Sequence, residues 1–256
     1  MLQRYFIELA FKGTNFHGWQ VQPNAVSVQE CLETALSTIT RETIGVTGAG
    51  RTDTGVHASY FIAHFDSEKL NLDHPDFAHK LNSFLNKDVV IFSISKVQSD
   101  AHARFDAISR TYQYHMNLQK DPFSLETSWH FFKQPDIELM NAASRILFEY
   151  IDFTSFSKLH TEVKTNNCKI YLAEWTQSGT NIIFTIKADR FLRNMVRALV
   201  GTMLEVGIGK ISLDEFRMII EQKDRSAAGL SVPAHGLFLK DIEYPEHIFV
   251  RKKSDY

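Results

Sequence analysis

Cysteine is scarce. Cys31 and Cys168 are the two in 256 residues, distant from one another and outside any Cys-His spacing. That excludes a disulfide framework and a thiolate zinc site, and it predicts two reduced thiols in a reducing compartment. Long apolar runs are also missing: none approaches the roughly 18 residues that cross a bilayer, so no membrane partner is expected. The start, Met1-Leu2-Gln3-Arg4-Tyr5, lacks the charged-then-apolar design of a signal peptide, and a cytoplasmic protein is expected. Low-complexity tracts are absent. So is a basic excess: the net charge is −2 and the sequence pI is near 6.6. Taken alone, this balance argues against nucleic acid, whose binders displace counterions with Lys and Arg. A whole-chain total can still hide one basic face balanced by acids elsewhere, so the placement of arginines matters more than their sum.

What is present is the material of a large core. Hydrophobic residues make up 44% of the chain and charged residues 23%, and 20 phenylalanines would be costly to leave in water. Tyr5, Ile7, Leu9 and Phe11 alternate with Phe6, Glu8 and Ala10, which predicts a strand. Ser27 and Glu30 form a capping box ahead of Val28, Cys31, Leu32, Ala35, Leu36 and Ile39 at helical spacing. A strand over Phe61 to Phe65, a short helix through Phe77, Leu81, Phe84 and Leu85, and a strand from Val89 to Val97 complete a β-α-β-α-β first half.

Near the middle, Arg110 to Leu118 alternates as a strand, and Lys120-Asp121-Pro122 marks a turn. A helix is expected at Asp136 to Phe148, strands at Lys169 to Gln177 and Asn181 to Ala188, and a long helix from Phe191 to Val206. Ser212 and Glu215 form a second capping box ahead of Leu213, Phe216, Ile219 and Ile220, and Leu237 to Ile242 closes as a strand. The expected fold is α+β: two strand-rich halves, 1–104 and 105–256, forming a largely antiparallel sheet with helices on one face and an open cleft.

Gly48 to Ala58 reads GAGRTDTGVHA. A dinucleotide fingerprint needs its third glycine where Asp53 stands, and a phosphate-binding P-loop needs a Gly-Lys-Ser/Thr ending that is absent, so both nucleotide readings fail on spacing. What remains is a glycine-rich loop presenting one acid, Asp53, near one base, Arg51. On its own the loop reads equally as surface turn material stapled by a weak ion pair.

The loop does not stand alone. Gly50 to His57 matches Gly-Arg-Thr-Asp-x-Gly-Val-His, the hallmark of the tRNA pseudouridine synthase I family, which the chain resembles. The resemblance extends to Phe16-His17-Gly18-Trp19-Gln20, His102-Ala103-Arg104-Phe105, Arg110-Thr111-Tyr112-Gln113-Tyr114, Asp152-Phe153-Thr154-Ser155-Phe156, Phe191 to Gly201 and Gly236-Leu237-Phe238-Leu239. These matches fall in order along nearly the whole chain. The resemblance implies that Asp53 is the catalytic aspartate and Arg197 its basic partner, that Tyr112 stacks on the target base, and that Arg51 helps open and hold the RNA. Arg110 and Arg193 complete the candidate substrate-binding residues. The resemblance further implies an open RNA-binding cleft, a homodimer clamping one tRNA, and uridines on the 3′ side of the anticodon arm, conventionally tRNA positions 38 to 40. No cofactor and no metal are expected from it.

The residues agree with those roles. Turning uridine into pseudouridine breaks the bond from sugar C1′ to N1, rotates the uracil and joins C1′ to C5, so the site must hold a detached base. One ionised carboxylate serves, whether it attacks the sugar carbon, adds to the pyrimidine ring or removes the 2′-hydrogen. Desolvation under a bound base would protonate it, which a guanidinium opposes. Arg190, Arg193 and Arg197 fall at i, i+3 and i+7 and are expected to share one helical face. Tyr112 offers a π-face to a flipped base, although beside Tyr114 and Met116 a core aromatic is the ordinary reading. His57, His102, His115 and His130 show no paired metal-ligand spacing. At Lys169 the family more often has arginine, a change that keeps the charge and loses a planar fork. A non-catalytic RNA-binding module and a glycosidase are the alternatives; the latter wants two paired carboxylates, and no second acid accompanies Asp53 in the motifs.

Overall fold

A computed structural model describes residues 2–158 and 165–250. Among the described residues the chain forms five α-helices and nine strands, an α+β arrangement with largely antiparallel pairing. It divides into two units, Met1–Ile108 with Lys240–Tyr256 and Ser109–Leu239. The return of Lys240 onward to the first unit is a connection that a linear division at 104/105 does not contain.

In the first unit, strand β1 (Gln3–Phe11) lies antiparallel between β3 (His57–Ser67) and β4 (Val89–Lys96), and β2 (Val46–Gly48) pairs with β3. Tyr5, Phe6 and Ile7 are all fully buried, so both faces of β1 are covered there. Phe6, on the face opposite Tyr5 and Ile7, meets the rings of Tyr244 and Phe249 at 5.2 and 6.0 Å, which is what the returning C-terminal segment supplies. Truncating such a ring to alanine costs about 3–5 kcal/mol. Helix α1 (Val28–Thr40) begins where the Ser27 side chain accepts the Glu30 N–H (3.2 Å) and ends at Arg41 in the left-handed region (φ +61°). Helix α2 (Pro75–Phe84) opens with proline in its first turn, where a missing N–H costs nothing, and packs on β4.

In the second unit, β8 (Asn181–Ala188) runs antiparallel between β5 (Ser109–Asn117) and β7 (Ile170–Ser178), while the short β6 (Trp129–His130) is parallel to β5. Gly179, at φ +59°, starts the two-residue loop between β7 and β8. Helix α3 (Ile137–Ile146) packs on β7 and on α4 (Met195–Gly207), and α5 (Leu213–Gln222) carries the complete Ser212/Glu215 capping box. Helix α4 is buried nearly all round, the pattern of a central core helix. Strand β9 (Leu237–Glu243) leads the chain back to the first unit.

Strands β2 and β6 are not among the expected elements, and two expected elements differ clearly in extent. The helix expected from Phe191 begins at Met195, because Asn194 adopts left-handed backbone (φ +68°), which a helix cannot continue through. Arg190 and Arg193 therefore precede the helix and share no helical face with Arg197. Strand β3 is longer than the expected Phe61 to Phe65, and His57, the histidine of the glycine-rich loop, is its first residue.

Candidate active site

The loop from Ala49 to Val56 joins β2 to β3 and is shaped by one turn. The Val56 N–H donates to the Asp53 carbonyl (3.1 Å), and Gly55, third in the turn, has φ +79°. That sign at that position defines a type II turn and favours glycine. Asp53 thus opens the turn and is half-buried, while Arg51 is exposed. Thr52, between them, keeps its hydroxyl oxygen buried without a hydrogen-bond partner among the described residues, a cost of about 1–3 kcal/mol.

The loop is clamped from a distant part of the sequence. Gly18 has φ +88°, and a Cβ there would lie 2.3 Å from the Thr52 carbonyl oxygen. The Trp19 N–H donates to that same oxygen, and the Gly55 N–H donates to the Phe16 carbonyl, each at 3.4 Å. The Trp19 indole fills the space a side chain at Gly48 would take and stacks on Phe61 at 4.2 Å. Gly13 approaches the far end of the loop: its N–H donates to His57 Nδ1 (2.9 Å), and a Cβ there would meet the Val56 carbonyl oxygen at 2.0 Å. His57 is fully buried, and an accepting Nδ1 requires that nitrogen to be unprotonated, so this histidine works as a brace for the loop. The Phe16–Gln20 motif is explained by this clamp. It holds the backbone of the carboxylate before any substrate arrives.

In the second unit, Tyr112 and Tyr114 project from the same face of β5 but have different fates. Tyr114 is completely buried, its hydroxyl donates to the Pro233 carbonyl (2.9 Å), and burial pushes its phenol well above the ordinary value. Tyr112 is half-buried and meets the Phe191 ring edge-on at 5.1 Å. The core-aromatic role thus belongs to Tyr114. Arg110, two residues before Tyr112, donates from Nη1 to the Asp189 carbonyl (3.1 Å). Arg110 and Tyr112 are in this way brought together on the segment that leads into α4.

Arg197 lies in the first turn of α4, half-buried, with Nε donating to the Val232 carbonyl (2.7 Å) and its own carbonyl accepting the Val232 N–H (3.2 Å). The Phe191–Gly201 motif, with Thr202 just after it, holds that neighbouring segment along its length. Asn194 Nδ2 donates to Ser231 Oγ (2.6 Å), Thr202 Oγ1 accepts the Gly229 N–H (3.0 Å), and a Cβ at Gly201 would meet the Leu230 carbonyl oxygen at 1.9 Å. Arg193 is exposed, and its carbonyl accepts the Lys158 N–H (3.1 Å). Lys169 is exposed too, with Nζ 5.7 Å from the centre of the Tyr171 ring. The Asp152 to Phe156 motif is bound to α5 and its C-terminal end. Asp152 accepts from Thr154 and pairs with Lys223 (2.9 Å), while Ser155 Oγ donates to the Ile219 carbonyl (2.6 Å).

Among the described residues no three His, Cys, Asp or Glu side chains converge as a metal site. Sequence reasoning overlooks what braces each segment: in the first unit the Gly13 N–H that donates to His57, and in the second unit the 229–233 segment that lies along α4.

A sequence model for a family described as tRNA pseudouridine synthase matches residues 9–106 and 151–245. The chain belongs to the tRNA pseudouridine synthase family. A tRNA pseudouridine synthase A from Bacteroides thetaiotaomicron is 57% identical over 251 residues, covering 97% of this chain and 93% of that protein. One from Parabacteroides distasonis is 56% identical over 248 residues, covering 97% and 98%. The likeness persists at distance: one from Bacillus subtilis is 37% identical over 240 residues, covering 92% and 97%. The tRNA pseudouridine synthase match takes in Asp53, Arg51, Arg193 and Arg197, whereas Arg110 and Tyr112 lie between its two segments.

Proposed function

We propose that this chain isomerises uridine to pseudouridine in the anticodon stem-loop of tRNA, with Asp53 as the essential carboxylate. The observation that carries this reading is the clamped turn at Asp53: a half-buried acid on a backbone fixed by Gly18, Gly55 and His57, inside the matched family segment. Placing a reacting group before the substrate arrives lowers the barrier by removing the cost of orienting it during the reaction.

The bond changes balance within the substrate. The C1′–N1 bond breaks, the uracil turns, C5 bonds to C1′, the C5 proton leaves to solvent and N1 takes up a proton. Asp53 acts in its ionised form, as nucleophile towards C1′, as an addend to the pyrimidine ring, or as the base for the 2′-hydrogen. Tyr112 is assigned to stacking on the target base, supported by its incomplete burial beside a fully buried Tyr114. Arg197 is assigned to keeping the catalytic carboxylate ionised, the role the family resemblance gives it. Arg51, Arg110 and Arg193 are assigned to holding RNA; Arg51 and Arg193 are exposed, as contacts to phosphate require.

The same reading includes a homodimer, on family resemblance, and a cytoplasmic location. Its test is release of label from C5 of uridine in tRNA by the purified chain. Failure to release it would remove the assignment.

A further inference from the structure

The His102-Ala103-Arg104-Phe105 motif is used by none of the steps above, yet it is held with unusual care. His64 Nδ1 accepts the Ala103 N–H (3.1 Å), and His102 Nδ1 accepts the N–H groups of Arg104 (3.1 Å) and Phe105 (3.4 Å). Asp106 accepts the His102 N–H (2.7 Å), and the Tyr244 hydroxyl donates to the Ala103 carbonyl. Burial lowers the His64 imidazole to about 4, so it stays a neutral acceptor near neutral pH. The residue before the turn is tied down as well: Arg4 donates to the Ala101 carbonyl (3.0 Å) while its guanidinium grips both oxygens of Asp66.

Rings step outward through this turn from the core to water. Phe6 lies 6.4 Å from His64, His64 is 4.7 Å from His102, and His102 is 4.3 Å from Phe105. The first is fully buried and the last is 72% exposed. The Arg104 guanidinium sits 5.5 Å from the centre of the Phe105 ring. A flexible loop exposing a phenylalanine would need no explanation; a turn braced by two histidines that presents one does.

We infer that Phe105 and Arg104 form a stacking site for an unpaired base of the tRNA other than the target uridine, the ring taking the base and the guanidinium the adjoining phosphate. A largely exposed ring with a guanidinium over it matches the two chemistries of a nucleotide, and stacking accepts any base. The inference rests on the proposed action on tRNA.

The experiment compares tRNA affinity, melting temperature and C5 label release for wild type, Phe105→Ala, Phe105→Leu and Phe105→Trp. The alanine and leucine variants should bind tRNA about tenfold more weakly, and tryptophan should bind at least as tightly as wild type. Melting temperatures should not move, because the ring is mostly in water. Alanine and leucine variants that bind within about twofold of wild type would overturn the inference, as would a tryptophan variant as weak as alanine. Unchanged tRNA affinity with an altered sedimentation of the RNA-free protein would also overturn it, by showing that Phe105 meets protein. A wild type that releases no label defeats the functional reading itself, whereas an active wild type indifferent to Phe105 defeats the stacking site alone.

Discussion

A side chain on Gly18 would place its Cβ 2.3 Å from the carbonyl oxygen of Thr52, the residue before the proposed catalytic aspartate. Gly18 also sits at φ +88°, so Gly18→Ala meets both a strained backbone and an overlap with backbone that cannot swing away. The expected destabilisation is about 2–4 kcal/mol, with turnover falling further than tRNA affinity because the displaced group is the Asp53 turn. Gly50→Ala is the control, since nothing lies within 4 Å of a Cβ there. Chemical denaturation should find it within about 0.5 kcal/mol of wild type. Equal stability of the two variants would contradict the clamp.

The His64 imidazole is lowered to about 4 by burial, with Arg4 and His102 adding repulsion, against an ordinary value of about 6.5. The unfolded chain therefore binds the proton first as pH falls. Stability should drop between about pH 6.5 and pH 4 and level off below, by up to about 3 kcal/mol from this group. The Asp66 carboxyl is held below its usual range by its hydrogen bonds to Arg4, and it acts in a lower window. Its contribution is present above the ordinary carboxylate value and is lost as pH falls through the depressed one. Denaturation midpoints across this range should flatten in His64→Gln relative to wild type, the difference isolating His64 from His102 and His235, which burial also lowers. Identical profiles would remove His64 from the account.

Much of this architecture is legible in the sequence because local chemistry decides it. Ser212 and Glu215 announce α5 and form the full capping box, and β8 runs from Asn181 to Ala188 as its alternation requires. Strand β3 resists because alternation vanishes when both faces are covered: Phe61, Ile62, Ala63 and Phe65 are all buried. The start of α4 is misleading because Phe191 to Asn194 continues the apolar period, while the chain breaks it with left-handed Asn194, whose side chain bonds Ser231. At the site, the motif points to Asp53 but not to what holds it. The close approaches of Gly13 to Val56 and of Gly18 to Thr52 join segments 43 and 34 residues apart, and no local pattern encodes those contacts.

Tyr112→Phe keeps the stacking ring and removes the hydroxyl, while Tyr112→Ala removes both. Alanine should be the larger loss in single-turnover rate, consistent with stacking worth about 1–3 kcal/mol per base. Phenylalanine should retain tRNA affinity and reveal any use of the hydroxyl as a slower proton step. Neither should unfold the chain, because the buried tyrosine of β5 is Tyr114. An alanine variant with unimpaired turnover would return Tyr112 to a structural role.

Asp53→Asn tests the central claim most directly, since it keeps the shape of the side chain and removes the negative charge that every route through the reaction requires. The measurement is tRNA affinity beside C5 label release under single-turnover conditions, for wild type and variant at equal protein stability. Label release should vanish, while affinity stays within about threefold and keeps the wild-type dependence on salt, because phosphates are held by cations and losing an acid adds no repulsion. Turnover near the wild-type rate would remove Asp53 from the chemistry, and a collapse of tRNA binding in a folded variant would make it a recognition residue instead.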